Sequence, residues 1–365
     1  MSRTLVLAAA GIAIGALALL LTMNGNPPNM GVCVACFLRD TAGALKLHDA
    51  APVQYLRPEI PGFILGAFGA ALAAREFNPS AGSSPVLRLA LGFFMMIGCL
   101  VFLGCPLRMV LRIAGGDLNA VVGLFGFAAG VGLGAFLLRR NFALPPRKPQ
   151  PRGEGLGFPL LVLALLALFL FRNDLFAAST QGPGSLRAPV WLALVGGLII
   201  GAIVQRTRFC FIGMLSHVFL FRQFSMLLGV AALTLVVFAG NLALGQVKFG
   251  FDGQPIAHAD ALWNFLGMTL TGLCGALLGG CPLRQLVGAG QGNSDAAMSV
   301  IGMLLGAAAA HNFALASSAA GPTVGGKSMV IAGLVVVTIV GAACSTRNRQ
   351  TDEPPRFVQD GKGGA

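Results

Sequence analysis

Charge is the scarcest property of this chain. Of its 365 residues, 13 are acidic and 25 are Lys or Arg, ten percent in all. A soluble domain carries roughly 25%, so a globular enzyme with a single anchor is excluded. The net charge of +12 does not imply a nucleic-acid partner. The basic residues flank apolar runs rather than forming one solvent face, which is the pattern of membrane-protein loops. No small-x-small cleavage site follows the first apolar run, Leu5 to Met23, so that run reads as a retained span and not a signal peptide. A zinc site is not expected. The one Cys-x-x-Cys, Cys33 and Cys36, supplies two ligands, and His48, His217, His258 and His311 are scattered. Gly326-Lys327-Ser328 lacks the spaced glycine that a phosphate cradle needs. Without a nucleotide site or a soluble domain, primary pumping is not expected, nor is any cofactor.

Apolar residues and glycine are what remain. Hydrophobic residues make up 56% of the chain, and there are 51 glycines, as suits membrane helices that pack closely or break. Most of the eight cysteines lie in or beside apolar segments, which argues against a secreted disulfide framework. One five-residue string occurs twice: Gly104-Cys105-Pro106-Leu107-Arg108 and Gly280-Cys281-Pro282-Leu283-Arg284, 176 positions apart. Upstream lies a second echo. Cys36-Phe37 precedes Cys105 by 69 residues, and Cys210-Phe211 precedes Cys281 by 71. Two motifs in one order at nearly one spacing indicate an internal repeat of the half-chain.

Ten spans of about twenty residues are expected, at roughly 4–23, 59–75, 86–104, 118–138, 156–172, 188–205, 224–245, 261–280, 295–315 and 326–344. Four apolar segments are too short to cross: 31–47, 105–117, 208–222 and 281–294. Such backbone is tolerated at membrane depth only when buried in protein or lining a cavity. With the N-terminus inside, cytoplasmic segments collect Arg3, Arg75, the basic stretch 139–152, Arg206, Arg208, Arg222, and the tail residues Arg347, Arg349, Arg356 and Lys362. The loop 316–325 carries no charge, and 173–187 has Arg only near its ends, as the positive-inside rule requires. Both termini are therefore expected in the cytoplasm. Five crossings separate the start of each half, so the halves should have opposite orientation, a transporter architecture. The expected fold is an all-α polytopic membrane protein of two inverted-topology repeats, with about ten transmembrane helices and four short re-entrant or broken ones. Its expected divisions are 1–139 (first membrane repeat), 140–187 (basic Pro-rich linker and connecting helix), 188–315 (second, inverted repeat) and 316–365 (final helix and tail).

The chemistry follows from the helix starts. Proline suits the first helical position, which puts Cys105 and Cys281 at or near N-caps, facing free N–H groups and a positive dipole end. Such a position suits an anion. Arg108 and Arg284 lie one turn along. Arginine within a membrane zone is costly and a functional candidate; the alternative is that each caps helix carbonyls or pairs with an acid such as Asp117. Arg39-Asp40 reads as an internal ion pair. Cys99 and Cys274 read as packing residues and Cys344 as incidental. Ala114 to Asn119 parallels Ala289 to Asp295, where glycines end a short helix and a polar residue caps the next span.

The strings Gly31-Val-Cys33-Val-Ala-Cys36-Phe-Leu-Arg39-Asp40, Gln54-Tyr55-Leu56-Arg57-Pro58-Glu59 and Gly104 to Asp117 together resemble the YeeE/YedE sulfur-transport membrane family. The resemblance is greatest to its selenium-associated branch and covers about 1–345. It implies a multi-pass importer of the bacterial-type inner membrane, not an enzyme. The substrate implied is a small selenium compound or a thiosulfate-like anion, passed along a central path lined by cysteines. Carried onto matching positions, the resemblance points to Cys36, Cys105, Cys281 and Cys210. With Cys33, Arg108 and Arg284 they form the expected substrate-binding set. The implied partners are the lipid bilayer, the sulfur or selenium substrate and a soluble sulfur- or selenium-carrier protein. One departure stands out: Ser216-His217 occupies the place where relatives often carry a second Arg-Asp. The rival class is a membrane thiol-disulfide oxidoreductase cycling Cys33 and Cys36.

Overall fold

The structure, a computed structural model, describes residues 3–140, 142–145 and 147–349, with side chains to 344. The expectations for Arg356 and Lys362, and for the Arg347 and Arg349 side chains, lie outside what is described. Fourteen α-helices follow one another. The first seven are α1 (Arg3–Met23), α2 (Val34–Ala44), α3 (Glu59–Ala73), α4 (Pro85–Phe102), α5 (Pro106–Ala114), α6 (Leu118–Arg139) and α7 (Arg152–Phe171). The next seven are α8 (Val190–Thr207), α9 (Phe211–Phe221), α10 (Ser225–Ala243), α11 (Ala261–Leu278), α12 (Pro282–Gly290), α13 (Ser294–Asn312) and α14 (Val324–Arg349). Among the described residues, nine helical segments are long and apolar enough to cross a membrane. The chain is an all-α polytopic membrane protein.

Where ten spans were expected, the second is short. Helix α3 has 15 residues, about 22 Å at 1.5 Å per residue, against a hydrocarbon core of about 30 Å. Pro58 and the charge of Glu59 set its start. The four segments expected to be short are short: α2, α5, α9 and α12 have 11, 9, 11 and 9 residues.

Apart from α7 and α14, the main packing contacts map onto themselves when the two sets of seven helices are exchanged. Helix α1 packs on α10, and its counterpart α8 packs on α3. Helix α4 packs on α13, and α11 on α6; the pairs α4 with α11 and α1 with α8 map to themselves. Glycine permits these crossings. A Cβ on Gly66 would meet the Leu198 carbonyl oxygen at 2.1 Å, and one on Gly130 the Thr269 carbonyl oxygen at 2.0 Å, far inside van der Waals contact. Close backbone approach of this kind is how membrane helices gain packing without a hydrophobic drive.

Both short-helix exits are strapped by the opposite half. After α5, Lys248 N donates to the Gly115 carbonyl and Gly250 N to that of Gly116. After α12, Asn78 N donates to the Gln291 carbonyl and Ser80 N to that of Gly292. Asp117 caps α6 through the amide of Asn119, and Asn293 caps α13 through that of Ala296, so the paired polar caps read in the sequence are present. Ser80-Ala81 also pairs antiparallel with Lys148-Pro149.

Candidate functional site

Two thiol pairs sit where helices break. Helix α4 ends with Leu103 in a left-handed conformation, φ 61°, and α11 ends the same way at Gly279, φ 78°. The chain then restarts through an extended cysteine, Cys105 or Cys281, with Pro at the first helical position. Facing each is a second cysteine that caps its own short helix. Cys33 caps α2 by accepting from Cys36 N at 3.3 Å, and Cys210 caps α9 by accepting from Gly213 N at 3.4 Å. The Cys33 and Cys105 sulfurs lie 3.9 Å apart, and the Cys210 and Cys281 thiols are neighbours that act on each other electrostatically. All four are buried.

This geometry corrects the register of the second echo. Sequence likeness sets Cys36-Phe37 against Cys210-Phe211, but the residue that does what Cys210 does is Cys33. Both are N-caps accepting from the amide three residues on, and both face the Cys-Pro helix start. Cys33 precedes Cys105 by 72 residues and Cys210 precedes Cys281 by 71, a closer match of spacing than the echo of Cys36. The place of Cys36 in the second half is taken by Gly213. By the same register, Ser216-His217 falls opposite Arg39-Asp40.

The two arginines of the repeated string have unlike surroundings. Arg108 is fully buried, and its guanidinium donates to the carbonyls of Asn29, Leu103, Pro255 and Ile256 and to the Cys36 sulfur at 3.6 Å. In the second half, Gln285 serves the break, donating to the Leu278 and Gly280 carbonyls. Arg284 is left with Nη1 buried and without a hydrogen-bond partner. Its electrostatic neighbours are Cys210, Cys281 and two further cations, Arg208 and Arg147. The acid of that region, Glu76, is taken by Gln205, Arg206 and Arg208. The Gln205 hydrogen bond and then the two guanidiniums hold its carboxyl below the usual carboxylate range.

The first half also carries buried ion pairs that its counterpart lacks. Asp40 binds both Arg39 and Arg57, each at 2.8 Å, and Arg57 reaches on to the Pro183 and Leu186 carbonyls. Arg112 pairs with Asp117 at 2.6 Å and stacks over Phe102. Thus the acid Asp117 serves Arg112, not Arg108. Every residue of α2 is buried, against only Phe211, Ile212 and Met214 of α9.

Cys99 and Cys274 are fully buried on the central helices α4 and α11. Cys99 accepts from Thr271 Oγ1 at 3.6 Å and lies within electrostatic reach of Cys33, Cys36 and Cys274. Cys344 is partly exposed at the far end of α14. Sequence reasoning passed over Asn26 and Glu59, a buried polar pair between α1, α3 and α8. The signal that could have found it is an acid directly after Pro58 at the start of an apolar run.

No curated protein matches the chain. A family model described as Sulphur transport matches residues 206–351, so the chain is similar to sulfur transporters over the stretch that holds Cys210, Cys281 and Arg284.

Proposed function

We propose that the protein imports a small sulfur- or selenium-containing anion across the inner membrane along a path bounded by the two thiol pairs. The observation that carries this reading is the doubling of one device: a thiol pair at a broken-helix start, built once in each of two halves whose packing partners interchange. The similarity to sulfur transporters over 206–351 supports it. In this reading the halves 1–139 and 188–315 are inverted repeats. Cys33, Cys36 and Cys105 then belong to the external side and Cys210 and Cys281 to the cytoplasmic side, with both termini cytoplasmic.

The chemistry is that of weak, soft contacts. A thiol is a poor donor and a polarizable acceptor, able to hold a terminal sulfur or selenium atom loosely enough to release it onward. Positive helix starts and the two arginines attract the anion. Arg108 contributes charge and shapes the outer thiols, because its donors are taken by carbonyls. Arg284 contributes charge and an N–H that the protein leaves unused. Sulfate, all oxygen at its surface, should pass poorly. No covalent turnover is required.

Uptake by purified protein in liposomes tests the proposal, comparing thiosulfate, selenite, sulfite and sulfate. Sulfate uptake as fast as that of the soft species would overturn it. The oxidoreductase reading requires a disulfide that cycles during turnover; peptide mapping under turnover would reveal it between Cys33 and Cys36.

A further inference from the structure

Glu59 is the one acid among the described residues that is fully buried at a helix crossing without an ion pair within 4 Å. It is 1% exposed, Oε1 accepts from Asn26 Nδ2 at 2.8 Å, and Oε2 has no hydrogen-bond partner. Arg57 and Asp40 act on it electrostatically, and Tyr55 lies within the same reach. The Arg57 guanidinium is already spent on Asp40, Pro183 and Leu186. The other elements packed on α3 bring backbone or apolar groups to it. Helix α8 meets Glu59 with Gly197, α12 meets Ile64 with Gly290, and α7 places Phe169 beside Tyr55.

Asn26 makes this carboxyl part of the thiol site. Its Nδ2 also donates to the Gly31 carbonyl, and its Oδ1 accepts from Ala188 N, so both of the amide's N–H donors are used. Gly31 stands two residues before Cys33. The same loop supplies the Asn29 carbonyl to Arg108, which touches Cys36. The charge on Glu59 is therefore read, through one amide whose donors are both engaged, by the loop that leads into Cys33 and Cys36. A carboxylate in that position accepts from Asn26. A carboxylic acid accepts more weakly at Oε1 and adds a donor at Oε2, an oxygen that has no acceptor, which loosens the hold on the amide and favours a turn of the carboxyl. The packing does not demand the acid: in the exchanged crossing of α1 on α10, Gly11 approaches the Gly229 carbonyl where Gly197 approaches that of Glu59.

We propose that Glu59 is a proton-binding site that couples import of the anion to entry of a proton. This rests on the transport reading above. A buried ionisable group inside a membrane bundle commonly marks a proton relay. One proton is bound at the outer side with the anion, neutralises Glu59, frees the Asn26 loop, and leaves on the cytoplasmic side as the anion is released. No bond other than the O–H is made or broken.

The test uses the full chain in liposomes holding a pH-sensitive dye, with the membrane potential clamped. Adding thiosulfate outside should acidify the lumen with a fixed ratio of protons to thiosulfate, and an inward gradient of one pH unit should support up to about tenfold accumulation per coupled proton. Glu59→Gln should lower the proton-to-thiosulfate ratio at least about tenfold, a quantity independent of how fast the variant works. Glu59→Asp should keep the ratio and move the pH profile of uptake. Net wild-type uptake of labelled thiosulfate without acidification, or an unchanged ratio in Glu59→Gln, overturns the inference alone. No exchange in the wild type overturns the transport reading and this one with it. If Glu59→Gln does not insert, the wild-type ratio and the Glu59→Asp profile decide.

Discussion

Replacing Asp40 by Asn should be among the most damaging single-atom changes available in this chain. Asp40 is fully buried and accepts three N–H groups, Oδ1 from Arg39 Nε and Nη2 and Oδ2 from Arg57 Nε, with Arg57 Nη2 a further 2.8 Å ion-pair contact to Oδ2. The amide keeps the shape but removes the only negative charge held by two buried guanidiniums, and it turns one acceptor into a donor. Arg57 retains the Pro183 and Leu186 carbonyls and its place over the Phe37 and Tyr55 rings. Arg39 retains no other side-chain hydrogen bond in the described structure. Breaking a buried pair by removing one partner costs about 3–5 kcal/mol. At about 2 °C per kcal/mol for a chain of this size, the melting temperature in detergent should fall by about 6–10 °C. The matched control is His217→Asn, at the position opposite Asp40 in the second half. There the ring is half-buried, carries no ion pair, meets Gln223 at 3.4 Å and packs edge-on against Phe221, so the shift should stay within about 1 °C. Thermal denaturation followed by size-exclusion chromatography reads both. An Asp40→Asn protein melting within about 2 °C of wild type, or a His217→Asn protein just as damaged, would refute the claim that the outer short helix is clamped and the inner one is not.

Cys105→Ala and Cys281→Ala should each abolish uptake while costing about 1 kcal/mol or less in stability, since a single small atom is deleted; near-normal transport by both would favour a packing role. Mild oxidation should join Cys33 to Cys105 and Cys210 to Cys281, read as linked peptides by mass spectrometry; a product joining only Cys33 to Cys36 would support the oxidoreductase reading. Arg284→Gln should raise the KM for thiosulfate about tenfold, the scale of one charge-assisted hydrogen bond, with melting unchanged. Arg108→Gln should instead destabilise the protein, because the Asn29, Leu103, Pro255 and Ile256 carbonyls lose their donor. Single introduced cysteines in 140–155 should be protected from impermeant reagents in intact cells and those in 173–187 labelled; the opposite result would reverse the topology.

Much of the architecture was legible because the bilayer simplifies the code. Spans announce themselves by length and hydropathy, and Cys105-Pro106 and Cys281-Pro282 mark helix restarts by local stereochemistry alone. Even the caps Asp117 and Asn293 could be read, since capping is a contact between near neighbours in the chain. The facing of Cys33 and Cys105 could not, because it depends on how α2 and α5 meet across 72 residues. The surface likeness of Cys36-Phe37 to Cys210-Phe211 drew the register to the wrong thiol. Nor did the repeated Cys-Pro-Leu-Arg string predict that Arg108 would be saturated and Arg284 not. That difference is made by carbonyls of a distant loop, 255–256, and by Gln285 standing where the first half has Met109. Glu59 was hidden for a related reason: its meaning lies in Asn26, on the loop after α1, and in Gly197 of α8.

The exchange of partners between the halves has a consequence for how the protein is made. Most long helices of the first seven find their main neighbours among the last seven: α1 on α10, α3 on α8, α4 on α11 and α13, α6 on α11. A ribosome delivers the chain in order at about 5–20 residues per second, so α4 and α6 must wait tens of seconds in the bilayer for α11 and α13. During that interval their glycine faces meet lipid, and Arg88 lacks Asp295. The protein therefore has no half-way folded product. A chain that stalls in the basic linker should be cleared by proteases. Two fragments divided at 140–155 should accumulate only when made together, each serving as the missing scaffold of the other.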